Sequence, residues 1–253
     1  MDLKSFVKEF CEKPIFMLSL GTRRSGKTHN MLALLELAFK KNIFNRYILC
    51  LPAYDFEQHD SYKCVREYQK KNTDKVRVFN RYSYLITREI LRDAKKVKGR
   101  TFIFVDDASL SASSIYEPNF FDVIALLRHL KITLAISYHS LTSGKTLAPF
   151  VRQNISYLLL YKIISEDLLR LIYDEYLSLC SDFENWKAFR TKYVEQINKE
   201  AFQSVCVDTQ QGLVNYDLKN LEKLTKKAGP AKPLAKPPAK PPAKRPVQSS
   251  FAH

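Results

Sequence analysis

The 253 residues suffice for one sizeable α/β domain, and 41 basic against 26 acidic side chains give a formal charge of +15, a field that attracts nucleic acid through counterion release. The 5 cysteines (Cys11, Cys50, Cys64, Cys180, Cys206) show no C-x-x-C or Cys/His spacing, which argues against a zinc cluster or disulfide scaffold and fits reduced thiols in a cytosol-like compartment. No apolar run reaches membrane-span length and the opening MDLKSFVKEF lacks a signal-peptide core, so a soluble, intracellular protein with no membrane segment is expected.

Residues 1–13 read as a short amphipathic helix, with Leu3, Phe6, Val7 and Phe10 on one face. Pro14 to Leu20 (PIFMLSL) is an almost unbroken apolar run, as in a parallel strand buried on both faces. The next eight residues, Gly21, Thr22, Arg23, Arg24, Ser25, Gly26, Lys27 and Thr28, match the phosphate loop G-x-x-x-x-G-K-[ST]. A Leu- and Ala-rich helix follows over Asn30 to Lys40. Strand, glycine loop and helix together form a nucleotide-binding signature. The loop N–H groups and the helix start converge on phosphate; Lys27 reaches the β- and γ-phosphates, and the Thr28 hydroxyl holds Mg²⁺.

Tyr47 to Leu51 (YILCL) is the next expected strand, then a polar stretch of helix and loop from Asp55 to Asp74, a short strand Val76 to Phe79 and a helix from Ser83 to Lys96. Thr101 to Val105 (TFIFV) is a buried strand ending in Asp106 and Asp107. Ligands of parallel α/β sheets sit at the carboxyl ends of strands, so these acids should face the bound phosphates. Asp106 is expected to orient Mg²⁺, and Asp107 to position the attacking water or accept its proton. The second acid points to hydrolysis rather than to a nucleotide switch alone.

A Ser-rich loop (Ser109 to Ser114), a helix (Asn119 to Leu130) and strands Ile132 to Ser137 and Ile155 to Tyr161 follow. Alternating strands and helices imply a mostly parallel sheet covered on both faces. Ser165 to Lys199 is helical in pattern and rich in aromatics, read as packing residues, and Gln203 to Asp208 with Leu213 to Tyr216 resemble a hairpin. From Lys226 the chain repeats Ala, Lys and Pro; with seven positive charges and no acid after Thr225, it reads as a disordered, polyproline-like basic tail. The expected division is an N-terminal helix (1–13), an ATPase core (14–165), a helical and hairpin part of the same domain (166–222) and the tail (223–253).

The succession of phosphate loop, VDD, RHL-x-I with its strand, and VRQNISYLLLYK resembles the viral genome-packaging ATPases of the FtsK/HerA class, found in poxviruses, other large DNA viruses and virophages. The resemblance runs over roughly residues 14–165. It implies a RecA-like P-loop core whose catalytic acids lie on a strand not adjacent in sequence to the loop strand. It also implies ATP and Mg²⁺ as cofactors, and a homo-oligomeric ring that drives double-stranded DNA into a capsid, with a capsid or portal protein as partner. The location implied is the host cytoplasm, the virus factory or the virion. This class carries a polar γ-phosphate sensor, often Gln, where this chain has Ser137-Tyr138-His139, so Tyr138 or His139 takes that role. Arg128 and Arg152 are the candidates for a finger reaching a neighbouring subunit's nucleotide. Arg152 is favoured because the connection before it is expected at the sheet's carboxyl edge, and Arg23 or Arg24 would act within the subunit. The other readings left open are a nucleotide kinase, a helicase or segregation motor, and an ATP-controlled capsid scaffold.

Overall fold

The computed structural model of the chain describes residues 3–93, 99–108, 118–139, 148–178, 182–200 and 203–215. The Ser-rich loop, most of the connection containing Gly144, Cys180 and the basic tail lie outside the described residues. The six expected strands form: β1 Phe16–Leu20, β2 Arg46–Cys50, β3 Val76–Phe79, β4 Thr101–Val105, β5 Ile132–Tyr138 and β6 Tyr157–Leu160. All six are parallel; β7 Val205–Asp208 adds antiparallel to β6, and β8 Leu213–Asn215 pairs antiparallel with β7. The resulting eight-stranded order is β3-β2-β4-β5-β1-β6-β7-β8. The hairpin is therefore the continuation of the main sheet beyond β6.

Burial on both faces explains why β1, β2, β4, β5 and β6 read as largely apolar runs instead of alternating ones, whereas the edge strand β3 is only partly buried. Phe16, Leu18 and Leu20 of β1 pack into one core layer, with Ile86 and Ile90 of α5 (Tyr84–Asp93) and Phe120, Val123 and Ile124 of α6 (Pro118–Leu126). Met17 points the other way, into a layer formed with α1 (Leu3–Glu12) and α2 (Lys27–Lys41). In that second layer Phe10 makes edge-to-face contacts with Phe44 and Phe102, at 5.6 and 5.8 Å between ring centroids. The amino-terminal helix is thus a fixed part of the core. The half-buried guanidinium of Arg100 ties it down further, donating to the carbonyls of Phe10, Cys11 and Lys13 and to Thr133 Oγ1.

Between β2 and β3 the chain makes a helical excursion: α3 (Ala53–Gln58), a 3₁₀ turn Asp60–Tyr62 and α4 (Lys63–Lys71). After β5 come α7 (Pro149–Gln153), β6, and α8 (Glu166–Ile172), which runs on into a π-helical turn Tyr173–Leu177. The helix α9 (Trp186–Lys199) closes this face. Its aromatics pack against those that precede it, Trp186 with Tyr173 at 5.7 Å and Phe189 with Phe183 at 5.2 Å, in the packing role expected of them.

Candidate functional site

The phosphate-loop motif starts where β1 ends, held between its two neighbouring strands. The Gly21 N–H donates to the Tyr138 carbonyl of β5 (3.3 Å), and the Thr22 N–H donates to the Lys162 carbonyl just past β6 (2.9 Å). A Cβ on Gly21 would lie 2.7 Å from Tyr161 Cβ, so the tight seat between strands admits only glycine. Gly26, at φ 99°, turns the chain into α2, whose first N–H groups have no partner within the helix and open onto a cleft of about 640 Å³. Arg24, Ser25, Lys27, Thr28 and His139 line this cleft, together with His29, His59, Ser61 and Tyr62. Arg23 and Arg24 are exposed.

Lys27 is 4% exposed, and its Nζ has three acceptors for its three N–H bonds: the carbonyls of Gly21 and Thr22, each at 2.7 Å, and His139 Nδ1 at 3.0 Å. Burial pulls its pKa down to about 8, against the upward pull of the Asp106 and Asp107 carboxylates. Because an ammonium only donates, His139 Nδ1 must be the unprotonated nitrogen. Nε2 therefore carries the ring proton, and it faces Asp107 Oδ1 at 3.3 Å. His139 thus bridges the loop lysine and the second acid. Of the two sensor candidates, only His139 opens onto the cleft; Tyr138, 4% exposed, turns into the core because successive strand residues face opposite ways.

The first acid is gripped on both oxygens. Asp106 Oδ1 accepts from the Ser137 hydroxyl and from the Asp107 N–H (3.1 Å), and Oδ2 accepts from the Tyr62 hydroxyl (2.7 Å). The Thr28 hydroxyl lies 3.1 and 3.0 Å from the two carboxylate oxygens. Asp107 has φ 47°, a left-handed conformation that Asp tolerates better than most residues, and its N–H also donates to Ser137 Oγ (2.9 Å). Among the described residues no group of three or more His, Cys, Asp or Glu is arranged to hold a metal ion. Mg²⁺ asks for less, one or two hard oxygens beside substrate phosphates. The Thr28 hydroxyl, donating its proton to Asp106 and keeping its lone pairs, fits that requirement.

The chain matches no protein-family model and no curated protein. Its likeness to known proteins is structural. B204, the DNA-packaging ATPase from Sulfolobus turreted icosahedral virus, aligns with a TM-score of 0.56 at 14% identity, over 80% of this chain and 97% of that one. The genome packaging NTPase B204 from Sulfolobus turreted icosahedral virus 2 aligns at 0.53 and 16% in complex with AMP, over 80% and 96%. In complex with ATP-gammaS it aligns at 0.52 and 15%, over 80% and 95%. The fold is that of a P-loop NTPase.

Within this P-loop fold β5 lies between the loop strand β1 and the acid strand β4, which is how His139 comes to stand between Lys27 and Asp107. The arginines lie elsewhere. Arg152 sits at the amino edge of the sheet, and most of the connection before it, expected at the carboxyl edge, lies outside the described residues. The five-residue helix α7 has already brought the chain to the start of β6, where the Ser156 N–H donates to the carbonyl of Phe16, the first residue of β1. Arg152 pairs with Glu175 (2.9 Å) and borders a cleft of about 350 Å³ with Ile155 and Thr209. Arg128 is exposed beside Pro14 and Ile15, also at the amino edge.

Two contributors were not identified from the sequence. Ser137 left a trace, a polar residue at the end of an apolar strand. Tyr62 left none, because its reach to Asp106 depends on how the excursion after β2 folds back.

Proposed function

We propose that this chain is an ATP-hydrolysing motor that drives double-stranded DNA into a viral capsid, working as a homo-oligomeric ring with a capsid or portal protein. The observation that carries the reading is the convergence at the carboxyl edge of the sheet of Lys27, Thr28 and His139, which line one cleft, with Asp106 and Asp107 bonded behind them. The likeness in fold to viral packaging NTPases and the excess of basic residues support the DNA-packaging part. On this reading the protein acts in the infected cell or virion.

The loop N–H groups of Gly21 to Thr28 and the start of α2 cradle the triphosphate, and Lys27 adds the point charge on the β- and γ-phosphates. Thr28 and Asp106 would hold Mg²⁺, which when bound would neutralise charge on the phosphate oxygens. Asp107 accepts the proton of the attacking water. His139, donating from Nε2, orients the Asp107 carboxylate and reports through Nδ1 on the position of Lys27. A guanidinium from a neighbouring subunit, Arg128 or Arg152, stabilises the charge that develops on the γ-phosphoryl group.

The test is phosphate release from ATP with and without double-stranded DNA, combined with native mass measurement. Release to water, stimulated by DNA and carried by an oligomer, is expected. Transfer of the phosphate to a nucleotide acceptor would replace the motor with a kinase. Negligible hydrolysis under both conditions would leave an ATP-controlled scaffold.

A further inference from the structure

Asp106 has a carboxylate whose χ2 torsion is intrinsically broad, so its orientation depends on the donors around it. Ser137 and the Asp107 N–H both grip Oδ1, from strand ends within the sheet. The single proton of Thr28 is shared between the two oxygens at nearly equal distance and selects neither. Tyr62, at 2.7 Å, differs from these three donors in contacting Oδ2 alone. It is 3% exposed, sits at the end of the 3₁₀ turn and immediately precedes α4, so its ring moves only with the excursion that carries it. Its hydroxyl occupies one lone pair of Oδ2 and leaves the other towards Thr28 and the cleft.

We infer that Tyr62 is a positioning residue for the cation-binding acid: its hydroxyl sets the rotation of Asp106 and links that carboxylate to the helical excursion between β2 and β3. The inference rests on the reading of Asp106 and Thr28 as the Mg²⁺ site. Partners that orient a metal-binding group commonly influence metal affinity by about 10–100-fold when removed. The excursion also contributes His59 and Ser61 to the same cleft, so one segment both walls the cleft and holds the acid.

The test uses the full chain and a fluorescent ATP-gammaS analogue, whose binding is followed without turnover. In Tyr62→Phe the ring and its packing stay while the donor is lost. Affinity in EDTA is expected within about two-fold of wild type, while the Mg²⁺ concentration for half-maximal tightening rises about 10-fold. In wild-type protein, Mg²⁺ with the analogue should slow hydrogen exchange over Ser61–Lys71 more than the analogue in EDTA does, whatever the fate of the variant. An unchanged or lowered Mg²⁺ requirement in a folded Tyr62→Phe protein, or identical exchange with and without Mg²⁺, overturns the inference. Asp106→Asn serves as the reference. If it loses the Mg²⁺ response while Tyr62→Phe keeps it, only the role of Tyr62 fails; if it too keeps the response, the cation site itself has been misassigned.

Discussion

The Lys27 ammonium is held among three acceptors in a site that burial makes unfavourable for charge, which leaves its pKa near 8. In the unfolded chain a lysine titrates near 10.4, so between about pH 8 and 10 the unfolded state binds more protons. For this group, stability therefore rises with pH across that window and is lowest below it. A bound triphosphate reverses the preference by favouring the ammonium. Nucleotide binding should take up a proton above pH 8, and affinity should fall as pH rises through 8. Calorimetry at pH 8.5 in two buffers of different ionisation enthalpy measures the uptake. Lys27→Ala should lose both tight binding and the proton uptake, and unchanged affinity in a folded variant would sink the phosphate-loop assignment. Asp107→Asn keeps a residue that tolerates φ 47° but loses the proton acceptor. Turnover is expected to fall by about 10²–10⁴-fold with Mg·ATP binding retained. Single-turnover kinetics beside equilibrium binding separates these, and near-normal turnover moves the base elsewhere.

At the scale of elements, each strand that reads as an apolar run forms, because a strand covered on both faces needs apolar residues at every position. Placing α1 required the tertiary structure. Its apolar face shows in the sequence, but its seat on Phe44 and Phe102, with its last carbonyls on Arg100, comes from residues far along the chain. Phe10→Ala should cost about 3–5 kcal/mol in urea unfolding, since a fully buried ring between two others leaves a cavity that the sheet cannot close. A loss below about 1 kcal/mol would mean that α1 is peripheral to the core. The segment Asp55 to Asp74 reads as helix and loop, and so it folds, yet its polar sequence carries no sign that Tyr62 turns inward to an acid on β4.

For the whole molecule, both candidate finger arginines lie at the amino edge, away from their own chain's phosphate loop, so either would act on a neighbouring copy. The pairing of Arg152 with Glu175 makes the exposed Arg128 the stronger candidate. Mixing wild-type and Arg128→Ala chains should lower hydrolysis more steeply than dilution of active sites explains; a strictly linear fall for both arginine variants would remove the finger in trans. The basic tail is a property of sequence alone. Deleting residues 226–253 should leave basal hydrolysis intact while weakening DNA binding. The slope of log K against log salt should become shallower by about 0.9 for each phosphate no longer neutralised. An unchanged slope would assign the tail to a protein partner instead.

The phosphate loop, the acids after β4 and the parallel strands could be read from the sequence because each is a local pattern. Glycines at fixed offsets, apolar runs and acids at a strand end are all dictated by what one segment must do. What only the tertiary structure decided is which distant segments meet. Inserting β5 between β1 and β4 brings His139 between Lys27 and Asp107, and the pleat of the same strand turns Tyr138 away. The hairpin joins the main sheet because β6 would otherwise expose an unpaired edge, a requirement invisible from the hairpin's own residues. The place of Arg152 at the amino edge is decided in the same way: which edge of the sheet a short helix reaches depends on the strands it connects.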